Sequence, residues 1–257
     1  MNCFNCWVVR SVCVVIPIYR PQPTEQERKA LVQVLQVLGD YPICLVAPTG
    51  LETTPYQRLV DAAGVGVDWL FWPKRNFSGL HSYNCLMLSR CFYRAFEVYD
   101  FLLIYQLDAW VHRDELRLWM DQPYDYIGAP SYSNGEDQAP WVGNGGFSLR
   151  RTAAFLSVYR GQQWYREYVR LSCLHQQDSA FKAGIERLWM LWQAFWLKHA
   201  PVPVVLRRVR QEDYFWSHVS SLRKPILKIA MAFSIELNRK QLKKDLGRQP
   251  FGEHGLK

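Results

Sequence analysis

An apolar run that ends on an acid, FLLIYQLDAWV at residues 101–111, constrains what this chain can fold into more than any other stretch. Phe101, Leu102, Leu103, Ile104 and Tyr105 lead directly into Gln106, Leu107 and Asp108. A continuous run of this kind fits a strand covered on both faces, as in the central parallel sheet of an α/β fold. Ligands of such sheets gather beyond the carboxyl ends of the strands, where Asp108 emerges. The two-residue period of a strand puts Gln106 and Asp108 on one face, aimed together at a metal ion or a diphosphate. An acid capping the next turn accounts for the same residues, and this segment alone does not separate the two.

The flanking sequence supports alternation of strands and helices. Residues 12–18 read as a first strand, stopped by Pro17 and Pro21. Residues 25–38 read as a helix, with Leu31, Val34, Leu35 and Leu38 in one stripe and Gly39 ending it. Residues 43–46 make a short strand closed by Pro48, and residues 65–71 a third. Residues 82–99 are strongly periodic, with Leu88, Cys91, Phe92, Ala95, Phe96 and Tyr99 on one face of a single predicted helix. A helix N-capped by Asp114 and a strand at 124–129 follow. This alternation predicts βαβ units around a mostly parallel sheet. Beyond it the pattern loosens. A loop at 131–140 precedes a glycine-rich turn into a strand at 143–150, aromatic helices at 153–199 and a late strand at 202–206. The expectation is one α/β, Rossmann-like domain with an irregular, helical C-terminal half.

Composition narrows the class further. Seven Cys without regular spacing do not form a secreted disulfide framework, so reduced thiols and a reducing compartment are the simpler reading. Cys3 and Cys6 have metal-like spacing but no second pair, which argues against zinc. The first 19 residues lack a charged start and a cleavage site, and no apolar stretch reaches the ~20 residues that cross a bilayer. A cytoplasmic protein is predicted. From residue 201 onward there are 12 Lys and Arg against 5 Asp and Glu, nearly all of the net +8. Such a surface suits a nucleotide diphosphate, a phospholipid surface or nucleic acid, with a merely solvated surface as the ordinary alternative. Residues 222–244 mix basic and apolar side chains as a helix on an anionic membrane does, with packing against the domain as the ordinary alternative. No DNA- or RNA-binding motif accompanies the basic residues. No glycine-rich loop with Lys or Arg follows the first strand, which disfavours a nucleotidyltransferase.

Three further motifs have chemical potential. In Gly143-Asn144-Gly145-Gly146, glycines let the backbone approach a ligand, although a plain turn uses the same residues. Glu212-Asp213 opens a helical segment, where the helix dipole favours acids for structure and keeps a carboxylate ready to accept a proton. His254, flanked by Gly252 and Gly255 in a short tail with little core left to join, is a candidate metal ligand or a solvated side chain.

In their order, PIY at 17–19, Ser82-Tyr83-Asn84 with LMLS, LIYQLDAWV, DYIGAP, GNGGFSLR, EDYFW and PFGEHG resemble a family of bacterial proteins of unassigned function. That family is grouped with glycosyltransferases of the GT-A fold, and the resemblance covers nearly the whole chain. It implies a nucleotide-binding half at 12–110 and an acceptor and catalytic half at 111–257. It implies that Asp108 matches the last acid of an Asp-X-Asp metal motif, with Gln106 standing where the first Asp is usual. Asn144, Gly145 and Gly146 match the segment bordering donor sugar and acceptor. Glu212 and Asp213 match an acidic pair whose Asp deprotonates the acceptor hydroxyl in inverting members. His254 matches a tail His that completes the metal shell around Mn²⁺ or Mg²⁺. Pro17, Tyr19, Tyr83 and Asn84 fall where the nucleoside rests. The resemblance therefore implies transfer of a sugar from a nucleotide-sugar donor to a glycan or lipid-linked acceptor, as in surface-polysaccharide assembly. Gln106 favours the alternative, a non-catalytic glycan- or nucleotide-binding module.

Overall fold

The computed structural model describes residues 10–131, 141–160, 163, 167, 211–236 and 247–255. The expected strand at 202–206, and most of the expected loop at 131–140 and of the helices at 153–199, lie outside these residues. So do the N-terminal Cys pair and residues 237–244 of the basic amphipathic stretch.

The core is a six-stranded sheet. Strand β1 (Val12–Pro17) pairs in parallel with β2 (Ile43–Pro48) and with β4 (Phe101–Tyr105), and β2 pairs in parallel with β3 (Asp68–Trp72). Beyond β4 the direction reverses. Strand β9 (Phe147–Arg151) runs antiparallel to β4 and to β6 (Tyr126–Gly128), giving the order β3-β2-β1-β4-β9-β6. Every residue of β1, β2 and β4 is buried, as a strand covered on both faces requires. Helix α1 (Glu25–Leu38) covers one face with Leu31, Val34, Leu35 and Leu38, all essentially inaccessible. It starts on a capping box in which the Thr24 side chain accepts from Glu27 N and Glu27 accepts from Thr24 N. The other face is closed by aromatics, among them Phe92, Tyr93, Phe155 and Trp216.

Several elements differ from the sequence expectation. The predicted helix at 82–99 is two helices, α3 (Leu80–Met87) and α4 (Arg90–Ala95). Ser89 breaks it: its side chain accepts from Phe92 N at 3.2 Å and caps α4, an option hydroxyls offer that competes with helix continuation. Helix α2 (Thr54–Ala63), with Pro55 in its first turn and Gly64 left-handed at its end, was not expected. The strand read from residue 65 begins at Asp68. Asp114 stands one residue before the N-cap of α5 (Leu116–Met120), yet it still accepts from Leu116 N at 3.0 Å.

The tail corrects the expectation most. Strand β11 (Gly252–His254) has a core to join. It lies between β5 (Ala109–Val111) and β10 (Ser234–Glu236) in a second, three-stranded sheet. Phe251 is fully buried against Phe147 and Phe233. Arg113 donates to the carbonyls of Gln249 (3.0 Å) and Pro250 (3.2 Å), and His112 N donates to Phe251 O. Helix α8 (Leu227–Phe233), part of the stretch weighed as a membrane helix, buries Ala230, Ala232 and Phe233 in the protein. Among the described residues no helix is long and apolar enough to cross a membrane.

Candidate active site

At the carboxyl end of β4 the chain turns sharply. Ala109 N donates to Gln106 O, and Gln106 N to Gly146 O at 2.8 Å. This turn exposes Asp108 while Leu107 stays in the core. The strand ends at Tyr105, and Gln106, Leu107 and Asp108 all line one cavity beside its carboxyl end.

His254, carried in by β11, meets them there. Its Nε2 lies 3.2 Å from Asp108 Oδ1 and 3.4 Å from Gln106 Oε1, and Gly255 N donates to Asp108 O at 3.0 Å. The approach depends on Gly146, because a Cβ there would collide with the imidazole ring. Among the described residues no group of three or more His, Cys, Asp or Glu side chains is placed to hold a metal ion. The pair nevertheless fits two neighbouring ligands of a six-coordinate ion. Bonds of roughly 2.1 Å at right angles separate such ligands by about 3.0 Å. Carboxylate, imidazole and amide oxygen are also a set that hard divalent ions accept.

Asp213, in the first turn of α7 (Glu212–His218), faces this group from the other side of the glycine turn. Gly145 N donates to its Oδ2 at 3.4 Å and Tyr214 N to its Oδ1 at 2.7 Å. Burial raises its carboxyl above the ordinary carboxylate value, and these two N–H groups work against the rise. Its neighbour Glu212 points elsewhere. Arg150 on β9 is fully buried, and all five of its N–H donors are used: two on Glu212 (2.9 and 3.3 Å), one each on Tyr93 Oη and Ser148 Oγ, and one on Gly145 O. Burial pushes the Glu212 carboxyl up, to about 7, against the pull of the Arg150 guanidinium. Gly145 is required here too, since a Cβ would run into Glu212 Oε1. Asn144 completes the turn: its Oδ1 accepts from Gly146 N at 3.0 Å and its Nδ2 donates to Glu236 Oε1 at 2.8 Å.

Two adjoining cavities share the wall formed by Leu80, Tyr83 and Gln106. The first, about 320 Å³, is lined by Pro17, Tyr19, Glu27, Phe77 and Asp108. The second, about 270 Å³, is lined by Asn84, Asn144, Gly145, Gly146, Asp213 and His254, among others. Each is near the lower end of the roughly 300–1,000 Å³ usual for small-molecule sites. Tyr83 Oη accepts from Gln106 Nε2 at 3.1 Å, and burial pushes its hydroxyl up, so it stays a neutral phenol. The structure thus brings together Gln106, Asp108, Asn144, Gly145, Gly146, Asp213 and His254. Pro17 and Tyr19 stand in the first cavity. Asn84, grouped with them by the sequence reading, instead lines the second.

Sequence reasoning missed Arg150 and Glu236. For Arg150 a signal existed. In a strand buried on both faces, Ser148 and Arg150 alternate with Phe147 and Leu149, so the cation had to point inward and needed a carboxylate. Glu236 gave no signal, being a lone acid in an apolar stretch.

Solved structures share this architecture. Apo-form GlyE from Streptococcus pneumoniae TIGR4 superposes with a TM-score of 0.51 at 11% identity, covering 96% of this chain and 55% of its own. Core-mannan synthase A from Aspergillus fumigatus, in its Mn/GDP form, gives 0.51 at 11% identity over 84% of this chain and 71% of its own. The bifunctional glycosyltransferase WbbM gives 0.53 at 11% identity over 98% and 46%. The chain thus spans about half the length of the first and third. These likenesses establish the fold, that of GT-A-type glycosyltransferases. No curated protein matches the sequence. A family model described as "Protein of unknown function (DUF5672)" matches residues 66–254, which include the β4 turn, the glycine turn, the acidic pair and the tail histidine, and the chain belongs to that family.

Proposed function

We propose that this protein is an inverting glycosyltransferase that uses Mn²⁺ or Mg²⁺ and moves a sugar from a nucleotide-sugar donor to a glycan or lipid-linked acceptor. One observation carries the reading: Asp108 and His254, 146 positions apart in the sequence, meet at 3.2 Å beside the glycine turn that Asp213 also contacts. The first cavity, with Pro17 and Tyr19, takes the nucleoside. Asp108 and His254 would hold the metal ion, with the Gln106 amide beside them. When bound, the divalent ion acts as a Lewis acid that neutralises charge on the departing diphosphate.

Asp213 is the base. Its carboxylate takes the proton from the acceptor hydroxyl as that oxygen bonds to the anomeric carbon and the bond to the diphosphate oxygen breaks, its electron pair leaving with the diphosphate. Attack opposite the leaving group inverts the anomeric centre. Glu212, both of whose oxygens are engaged by Arg150, positions Asp213 and Gly145 without entering the proton transfer. The chain is read as one domain, with residues 12–110 for the donor and 111–257 for acceptor and catalysis. It works in the cytoplasm, in contact with anionic membrane where the acceptor is lipid-linked.

The test is sugar transfer by wild type and by Asp213→Asn. Loss of ~10²–10⁴ in kcat, with donor affinity retained, is the expected result. Wild-type turnover in Asp213→Asn would remove the base from the scheme. Gln106, an amide where the Asp-X-Asp pattern has an acid, favours a second reading, a module that binds the donor without consuming it. Metal-dependent binding with no hydrolysis or transfer by wild type would select it.

A further inference from the structure

Asn84 sits on α3, one turn after Leu80, and is 4% exposed, lining the second cavity. Its Nδ2 is inaccessible to solvent and has no hydrogen-bond partner among the described residues. A buried amide N–H₂ without an acceptor costs free energy in the empty protein, and a ligand that presents an acceptor recovers it. Carboxylates stand among the other groups that line this cavity. Asp213 and Glu236 are acceptors with lone pairs beyond the bonds they already take from Gly145, Tyr214 and Asn144.

Orphan donor and carboxylate acceptors together define the occupant's chemistry. A hydroxyl both donates and accepts, so neighbouring hydroxyls on one ring satisfy Asn84 and the carboxylates at once. A phosphate only accepts, so it can satisfy Asn84 but cannot donate to Asp213 and Glu236. Resting on the glycosyl-transfer reading, we infer that the second cavity is the subsite for the transferred sugar. In it Asn84 Nδ2 donates to an oxygen substituent of the ring and is a specificity-determining residue. The nucleoside stays on the far side of the wall formed by Tyr83 and Gln106, out of reach of Asn84.

The experiment is isothermal titration, with Mn²⁺ present, of UDP-glucose, UDP-N-acetylglucosamine and GDP-mannose beside free UDP and GDP. Wild type, Asn84→Ala and Asn84→Asp are compared. Wild type binds one nucleotide sugar more tightly than its parent diphosphate. Asn84→Ala removes roughly 10-fold of that advantage while free diphosphate affinity stays within about 2-fold. Asn84→Asp, which keeps the volume but exchanges the donor for a carboxylate, removes at least as much. Unchanged free-diphosphate binding also serves as the control that each variant folds. An equal fall for sugar-bearing and sugar-free ligands, or no change for either, overturns the assignment of Asn84. Binding of no nucleotide by wild type overturns the glycosyl-transfer reading itself, and the subsite with it.

Discussion

Glu212→Ala tests whether the acidic pair is divided between scaffold and chemistry. Arg150 is wholly buried, and its five donors end on Glu212, Tyr93, Ser148 and Gly145. Truncation to alanine strands two of those donors and leaves a buried cation without its counter-ion. Removing one member of a buried pair typically costs ~3–5 kcal/mol. Against a total stability of about 5–15 kcal/mol this is a large share. It lowers the melting temperature by roughly 6–20 °C for a chain of this size. Glu212→Gln keeps one acceptor and loses less, about 1–3 kcal/mol. Replacing both partners, as in Arg150→Met with Glu212→Leu, restores much of the loss, because an apolar pair of similar volume needs no counter-charge. Thermal and urea denaturation of the three variants measure this directly. The reasoning is refuted if Glu212→Ala melts within about 2 °C of wild type yet transfers no sugar, since Glu212 would then act in the chemistry.

Gly146→Ala forces the His254 ring away from Asp108 and is expected to weaken Mn²⁺ binding by ~10–100-fold, read by isothermal titration, with little change in melting temperature. Arg113→Ala frees the carbonyls of Gln249 and Pro250 and loosens the strand that carries His254. It should weaken Mn²⁺ binding in wild type but have little further effect in His254→Ala, a coupling measured by a double-mutant cycle. Burial raises the Asp213 carboxyl, and only its ionised form accepts a proton, so kcat rises with pH through a midpoint above the ordinary value of 3.8. A pH–rate profile flat through the acid limb contradicts that role.

The parallel half of the sheet was legible because it is built from local signals. Apolar runs at 12–17 and 101–105 and the stripe of α1 map onto buried strands and a buried helix face with little change. What failed was decided by single side chains or distant packing. Ser89 has the same periodicity as its neighbours but spends its hydroxyl on Phe92 N, so one helix became two. The tail looked solvent-bound because Phe251 finds its core only through Phe147 and Phe233, more than a hundred and about twenty residues away. Within the site, strand logic placed Asp108 beyond the end of β4, and the glycine-flanked tail singled out His254, but neither foretold that the two side chains meet at 3.2 Å. The division between Glu212 and Asp213 required knowing that Arg150 points inward, a fact fixed by the strand's register.

Metal-dependent transfer requires Asp108 and His254 to hold one cation against a diphosphate. A crystal of the wild-type protein soaked with Mn²⁺ and UDP measures this most directly. The expected result is an ion bound to Asp108 Oδ1 and His254 Nε2 at roughly 2.0–2.3 Å, sharing the UDP diphosphate oxygens, with Asp213 facing the second cavity. Manganese bound elsewhere, or UDP seated with neither residue near its phosphates, contradicts the account.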